Sequence, residues 1–121
     1  MRMIPLTIAL ALIASSATAH EPRKGPNGGP LVDAGAYHVE VVAAGTRVDV
    51  FVTSGKDAPE QSSGFKALAI LVIDGKTQRI VLEPSADGKV LTGTAPSAVT
   101  TIKGAVQLTD KDGKTGTGRI N

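Results

Sequence analysis

Alternation of apolar and polar residues is the feature that most constrains the fold of this chain. Every second side chain is apolar in residues 37–42 (YHVEVV) and 48–52 (VDVFV), which is the period of a β-strand with one buried face. Turn-forming glycines, prolines and aspartates interrupt the pattern about every 8–12 residues. The sequence therefore predicts an all-β fold, a small antiparallel immunoglobulin-like sandwich of about seven strands. The five further strands are predicted at residues 66–73, 77–83, 89–94, 101–109 and 114–120.

Two dipeptides predict the tight turns of hairpins. Ala44-Gly45 separates the first two strands, and Asp74-Gly75, a favoured two-residue turn, separates 66–73 from 77–83. Residues 54–64 are polar with Gly and Pro, which predicts a loop. The residues expected to point into the core are Tyr37, Val39, Val41, Val48, Val50, Val52, Leu68, Ile70, Val72, Ile80, Leu82, Leu91, Val106 and Leu108.

The first 19 residues have the layout of a secretory signal peptide. Arg2 precedes an apolar run at 3–14, and small residues ending in Ala17-Thr18-Ala19 follow it. The run is shorter than the roughly 20 residues of a membrane-spanning helix, so we expect cleavage after Ala19 rather than an uncleaved anchor. This predicts export to the periplasm without stable membrane insertion. The expected division is a signal peptide at 1–19, an extended Gly- and Pro-rich arm at 20–35 and a β-domain at 36–121.

Composition narrows the classes of function. The chain has no cysteine, which excludes disulfides and thiolate metal sites, and only three aromatic residues, too few for a platform that stacks single-stranded nucleic acid. Without the signal peptide, 12 basic and 11 acidic side chains remain. No segment carries a cluster of Lys or Arg, so neither nucleic acid nor an anionic membrane surface is an expected partner.

Catalytic motifs are missing as well. The sequence has no triad spacing, nucleophile elbow, P-loop or dinucleotide fingerprint, so we do not expect an enzyme. The glycine-rich stretch at 25–29 (GPNGG) precedes no predicted helix, and a hinge or turn is the expected interpretation.

Metal binding has better candidates. Cleavage after Ala19 would make His20 the first residue, able to offer its α-amine and its imidazole Nδ1 to one ion. His38 is the only other histidine. A nitrogen-rich set of this kind suits Cu(II), although other divalent ions stay open. His38 and Glu40 would share one face of their strand. The carboxylates that could complete the set are Glu21, Asp33 and Glu40. The same residues also fit a solvated strand face and an arm that binds nothing.

Residues 25–42 (GPNGGPLVDAGAYHVEVV) and the VDVFV strand that follows resemble the small β-rich domain of heavy-metal efflux periplasmic adaptor (membrane-fusion) proteins. The resemblance implies an antiparallel sandwich linked to the handling of copper, zinc, cobalt or nickel. The coiled-coil hairpin, the lipoyl-like domain and the histidine-rich N-terminal run of full adaptors are missing from the sequence. The residues that fall on the recognisable motif are Gly28, Gly29, Gly35, His38 and Glu40.

A fainter resemblance is to periplasmic copper carriers, small β-sandwiches whose mature chain begins with histidine. It rests on His20, on the absence of cysteine and on the fold class. Two functions are therefore expected. The first is a periplasmic metal-binding accessory protein for heavy-metal efflux or homeostasis, with copper as the preferred ion. The alternative is a module that binds no metal and docks on an envelope transporter complex through its strand faces and edges.

Overall fold

A computed structural model describes residues 23–121 of the protein. None of these residues lies in a helix, and none therefore belongs to a helix long and apolar enough to cross a membrane. The described residues form eight strands: β1 (Leu31–Ala34), β2 (Tyr37–Ala44), β3 (Arg47–Ser54), β4 (Lys66–Ile73), β5 (Lys76–Pro84), β6 (Leu91–Thr94), β7 (Gly104–Thr109) and β8 (Thr115–Ile120).

All eight strands pair antiparallel in one sheet with the order β1-β2-β3-β6-β5-β4-β7-β8. The chain leaves β3, crosses to β4 and returns through β5, so that β6 lies between β3 and β5. The prediction of an all-β antiparallel fold is confirmed. There are eight strands rather than about seven, and they form one sheet that curls into a nearly closed barrel instead of a clear two-sheet sandwich.

The additional strand, β1, lies within the segment expected to be an extended arm. Its residues Leu31–Ala34 pair with β2, so that Asp33 faces His38 across the ladder. Further back, Lys24 forms an isolated β-bridge with Pro30. Residues 24–35 are thus folded against the domain. The sequence did not indicate this strand because it is only four residues long and Pro- and Gly-rich turns flank it.

Glycines allow the two ends of the sheet to meet. Strand β8 packs against β1, and its inward positions before Ile120 are Gly116 and Gly118. A Cβ on Gly118 would lie 2.7 Å from the carbonyl oxygen of Asp33, and one on Gly116 would lie 2.6 Å from the carbonyl carbon of Ala34. Only glycine therefore lets the two backbones approach this closely. Among residues 23–121, no ladder of backbone hydrogen bonds joins β1 to β8, so the barrel is closed by packing.

Both predicted hairpins are confirmed, although the two residues that connect β2 to β3 are Gly45 and Thr46 rather than Ala44 and Gly45. Asp74 and Gly75 both have positive φ, 51° and 76°, as the two central residues of a type I′ turn require. In the other hairpin, β2 ends at Ala44 and Gly45 has a φ of 60°. Gly45 and Gly75 have no Cβ to oppose a positive φ, and Asp74 is of a residue type that tolerates it, so the chain reverses within two residues at each hairpin.

Side chains on the inner face of the sheet form the core. Tyr37 is only partly buried, and its ring meets the buried ring of Phe65 edge-on, with centroids 5.1 Å apart. The predicted core residues that are buried are Val39, Val41, Val48, Val50, Val52, Ile80, Leu82, Leu91, Val106 and Leu108.

Strand β4 buries the face opposite to the predicted one. Its sequence, KALAILVI, is apolar on both faces, so alternation alone does not choose between them. The register places Ala69 between Ile80 and Val106, and these larger neighbours fill the interior beside the small alanine. The prediction that Leu68, Ile70 and Val72 point inward is therefore wrong. The residues of β4 that are buried are Ala67, Ala69, Leu71 and Ile73.

Candidate metal centre

Three of the five predicted ligands belong to the described residues. Asp33 lies on β1, and His38 and Glu40 lie on β2, whereas His20 and Glu21 lie outside the described range. The fold brings Asp33 and His38 into contact. It gives Glu40 a different set of partners.

Asp33 and His38 form a carboxylate–imidazole pair across the first two strands. Oδ1 of Asp33 lies 2.5 Å from Nδ1 of His38. An ionised carboxylate can only accept a hydrogen bond, so Nδ1 carries a proton, and in the neutral form of the ring the lone pair is on Nε2. The His38 side chain is 20 % exposed, which leaves a largely packed ring in contact with solvent.

Arg23 is the third member of this cluster. Its Nη2 donates to Oδ1 of Asp33 over 2.7 Å. The hydrogen bond from Arg23, followed by the one from His38, holds the pKa of Asp33 below its usual value. Asp33 is therefore ionised at neutral pH. The contact also places the first described residue of the chain directly beside the carboxylate–imidazole pair.

A second carboxylate lies on the other side of the imidazole ring. Oδ1 of Asp57 is 3.9 Å from Nε2 of His38, which is too long for a hydrogen bond. Asp57 follows β3 in a tight turn, where it has a φ of 61° and donates its N–H to the carbonyl of Ser54. The sequence did not indicate Asp57 because it is distant from His38 along the chain. Only the β2–β3 register, in which Ser54 faces Tyr37, brings this turn near the histidine.

Glu40 is a buried carboxylate that holds the turn at residues 25–29. It is 2 % exposed and accepts hydrogen bonds from the backbone N–H of Gly29 (2.8 Å) and from the backbone N–H and side-chain amide of Asn27 (both 2.9 Å). The expected exposed pair of His38 and Glu40 is therefore not what the strand presents. With both oxygens directed at protein N–H groups, Glu40 has no free position for an ion while the turn is closed.

Glycines in the same turn make room for the Glu40 contacts. A Cβ on Gly25 would overlap the Glu40 carboxyl group, and a Cβ on Gly29 would overlap the carbonyl oxygen of Val41. The turn is further closed by a 2.8 Å hydrogen bond from the N–H of Gly25 to the carbonyl of Gly29. GPNGG is thus a turn, as expected, and the glycines admit the carboxylate that fastens it.

The donors of the described residues do not complete a metal site on their own. Among residues 23–121, no group of three or more His, Asp or Glu side chains is arranged to hold an ion. Within the described range, Nε2 of His38 and the Asp57 carboxylate are the two potential donor groups that face each other. Comparisons with protein-family models, curated proteins and solved structures find no match for the chain.

Proposed function

We propose that the protein is an exported metal-binding accessory protein for heavy-metal efflux or homeostasis, which binds Cu(II) in the periplasm. The observation that carries this proposal is the placement of the His38 ring. Its Nδ1 is held by Asp33, and its Nε2 faces Asp57.

The pair of Asp33 and His38 has the arrangement that commonly supports a metal-binding histidine. Such a histidine donates its second ring N–H to a carboxylate, which fixes the tautomer and makes the ligating nitrogen more basic. In this protein the 2.5 Å contact occupies Nδ1 and leaves Nε2 as the donor atom. Imidazole nitrogen suits copper and zinc better than it suits calcium or magnesium.

The separation of Nε2 and Asp57 is compatible with one shared ion. Bonds from zinc to imidazole nitrogen or carboxylate oxygen are about 2.0–2.2 Å long, so two atoms bound to one such ion lie at most about 4.2 Å apart. The observed 3.9 Å is within this limit. The Asp57 side chain is 84 % exposed, and it can adjust its position without disturbing the core.

The length of the chain allows the proposed N-terminal ligand to reach this pair. Three residues span at most about 10 Å, and Arg23, three residues after His20, contacts Asp33 through its side chain. A mature chain beginning with His20 would add an α-amine and a second imidazole to His38 and Asp57. The resulting four donors, three of them nitrogens, match the tetragonal preference of Cu(II).

The different contacts made by residues 25–42 support His38, rather than Glu40, as the ligand from this segment. Gly25, Gly29 and Glu40 are used to build and fasten the turn. The side chains of Asp33 and His38 satisfy no backbone group and hold only each other and exposed charged groups. His38 is therefore available as a ligand oriented by Asp33, whereas Glu40 is occupied by the turn.

Titration of the purified mature chain with Cu(II), followed by visible absorption and EPR, tests the proposal. We expect one Cu(II) per chain and nitrogen coupling from two imidazoles. His38→Ala should weaken binding at least about 10-fold, and an alanine added before His20 should do the same because it separates the α-amine from the imidazole. Mass spectrometry of the exported protein establishes whether His20 is its first residue.

Carboxylate variants supply the controls. Asp57→Asn should weaken binding, whereas Glu83→Gln, which changes an exposed glutamate on β5, should leave affinity and spectrum unchanged. Binding of normal stoichiometry and affinity by a chain carrying both His20→Ala and His38→Ala would exclude these ligands. Absence of heat with Cu(II), Zn(II), Co(II) and Ni(II) in calorimetry would exclude metal binding altogether.

A further inference from the structure

The outward face of β4 and of its neighbours carries apolar side chains, two of them exposed and the others half-buried. Val81 on the neighbouring β5 is 68 % exposed and Val72 is 37 % exposed. Leu68 lies opposite Val81 in the register, and Ile70 lies opposite Ala105 of β7. Single exposed apolar residues are ordinary on protein surfaces, but these five adjoin one another and form what we call the outer apolar patch.

Basic residues flank the outer apolar patch. The register aligns Arg79, Ile70, Ala105 and Arg119 in one row across β5, β4, β7 and β8. At about 4.8 Å between strands, the Cα atoms of the two arginines lie roughly 14 Å apart. Both arginines are exposed, and among residues 23–121 neither has a carboxylate within salt-bridge distance.

The remaining charges on this face have the same sign with one exception. Lys66 stands at the start of β4, and Glu83 on β5 is the one acidic residue among the outward positions of β4, β5, β7 and β8. The centre of the patch is thus apolar and its border is mainly basic. Sequence analysis does not reveal this arrangement, because these cations are far apart along the chain and only the sheet brings them together.

The outer apolar patch is poorly suited to bind a second copy of the chain, another protein or a small molecule. Two copies of the chain related by a twofold axis through the arginine row would bring arginine against arginine, which is unfavourable. The patch measures on the order of 14 Å by 14 Å, about 200 Å², whereas a stable protein complex buries about 800 Å² on each partner. The outside of a barrel is also convex, so the patch encloses no small molecule.

We propose that the outer apolar patch docks on the surface of a bilayer that contains anionic phospholipid. Val72 and Val81 would contact the boundary between headgroups and acyl chains, and Arg79, Arg119 and Lys66 would bind phosphate groups. The guanidinium group matches phosphate geometry through paired N–H donors. A lipid surface can deform to fit a convex protein face. The apolar centre of the patch and its basic border provide the hydrophobic and the electrostatic attraction that hold a protein at a membrane interface. The association is weak and reversible, since few residues take part.

Co-sedimentation of the mature chain with vesicles at low ionic strength tests this proposal. We expect binding to phosphatidylglycerol vesicles and little binding to phosphatidylcholine vesicles. Arg79→Glu changes the charge at the surface by two, which corresponds to a loss of about 30-fold at roughly 1 kcal/mol per charge. Val81→Asp should lower binding by more than about 10-fold, because it adds one negative charge and removes an inserted apolar group.

Lys56→Glu is the matched control. It makes the same change of charge on an exposed residue of the loop after β3, away from the patch, and should alter binding less than about threefold at salt concentrations that screen distant charges. Circular dichroism of each variant verifies the fold. Wild-type protein that stays in the supernatant with phosphatidylglycerol vesicles overturns the proposal, as does equal loss of binding in Lys56→Glu and Arg79→Glu. Unchanged binding by Val81→Asp would also overturn it, since the apolar patch would then have no part in attachment.

Discussion

Removal of the Glu40 carboxylate is the sharpest test of how the N-terminal turn is held. In Glu40→Ala, the backbone N–H groups of Asn27 and Gly29 and the Asn27 amide lose their acceptor. The Gly29 N–H is buried and gains no water in exchange, and the Asn27 donors are partly buried. The side chain also fills the space beside Gly25, so that truncation leaves a gap under the turn.

The expected loss of stability in Glu40→Ala can be worked out from these three hydrogen-bond donors. Hydrogen bonds to a charged acceptor contribute about 1.5–3 kcal/mol each when they are buried, and less where water can replace the acceptor. Taking about 2 kcal/mol for Gly29 and about 0.5–1 kcal/mol for each Asn27 donor, we expect Glu40→Ala to lower the free energy of unfolding by roughly 3–4 kcal/mol. For a domain of this size, that corresponds to a fall in Tm of about 12–32 °C.

Urea unfolding measures the loss of stability of the whole domain, and amide exchange shows whether only the turn at residues 25–29 has opened. Glu40→Gln keeps the shape and one acceptor but turns an amide N–H₂ toward the donors, so it should cost about half as much as Glu40→Ala. Glu83→Ala, on the exposed face of β5, should change stability by less than about 0.5 kcal/mol. If the turn opens without unfolding the barrel, the amides of Asn27 and Gly29 will exchange fast while the core amides of β2 stay protected. A loss below about 1 kcal/mol combined with unchanged exchange at Gly29 would refute the role assigned to Glu40.

Three further outcomes follow from contacts already described and from one exposed turn. Gly116→Ala should destabilise the barrel by several kcal/mol in urea unfolding, because its Cβ would collide with β1. Gly55→Ala, where a Cβ would make only ordinary contacts, should cost less than about 1 kcal/mol. Equal losses of stability in the two variants would contradict closure of the barrel by backbone contact. Asp87 has a pKa lowered by hydrogen bonds from Ser85 and from the N–H of Lys89, so it stabilises the fold above about pH 4 and that contribution disappears as pH falls through its lowered pKa. Asp87→Asn should therefore be less stable than wild type at pH 7 and equal to it near pH 2, and a difference that persists at pH 2 would contradict the titration. Leu71→Ala should cost about 2–5 kcal/mol in thermal or urea unfolding, since Leu71 is fully buried, and a near-neutral result would show that β4 does not bury the face described above.

Much of the fold follows from local sequence, and the errors have physical causes. Alternation and turn residues identified seven of the eight strands, because β2, β3 and β5 each have one apolar and one polar face. Alternation failed at β4, where both faces are apolar and the choice depends on which side chains fit between Ile80 and Val106. It also missed β1, whose pairing depends on β2 and on the turn that Glu40 fastens. Closure of the barrel depends on Gly116, which as a glycine carries no hydrophobic signal.

The candidate site was only partly accessible from the sequence. Residue types and the strand period indicated His38 and the carboxylates near it, but they could not tell which carboxylate is available. Burial of Glu40 depends on a turn folding over the outer face of β2, and proximity of Asp57 depends on strand register. Both are consequences of tertiary structure. Whether His20 contributes is a question about processing of the chain, which mass spectrometry answers.

The contact of β1 with β8 also determines where the barrel can open locally. Six of the seven other boundaries in the sheet pair four or more residues, and β5–β6 pairs two, so separating most neighbouring strands breaks several backbone hydrogen bonds together. Parting β1 from β8 breaks no such ladder in the described residues, and slow collective motion will concentrate at this slit. Because Asp33 lies on β1, the carboxylate that contacts His38 is carried by a strand at the edge of this slit. If the proposed site binds an ion, opening of the slit would move Asp33 relative to His38 without unfolding the rest of the protein.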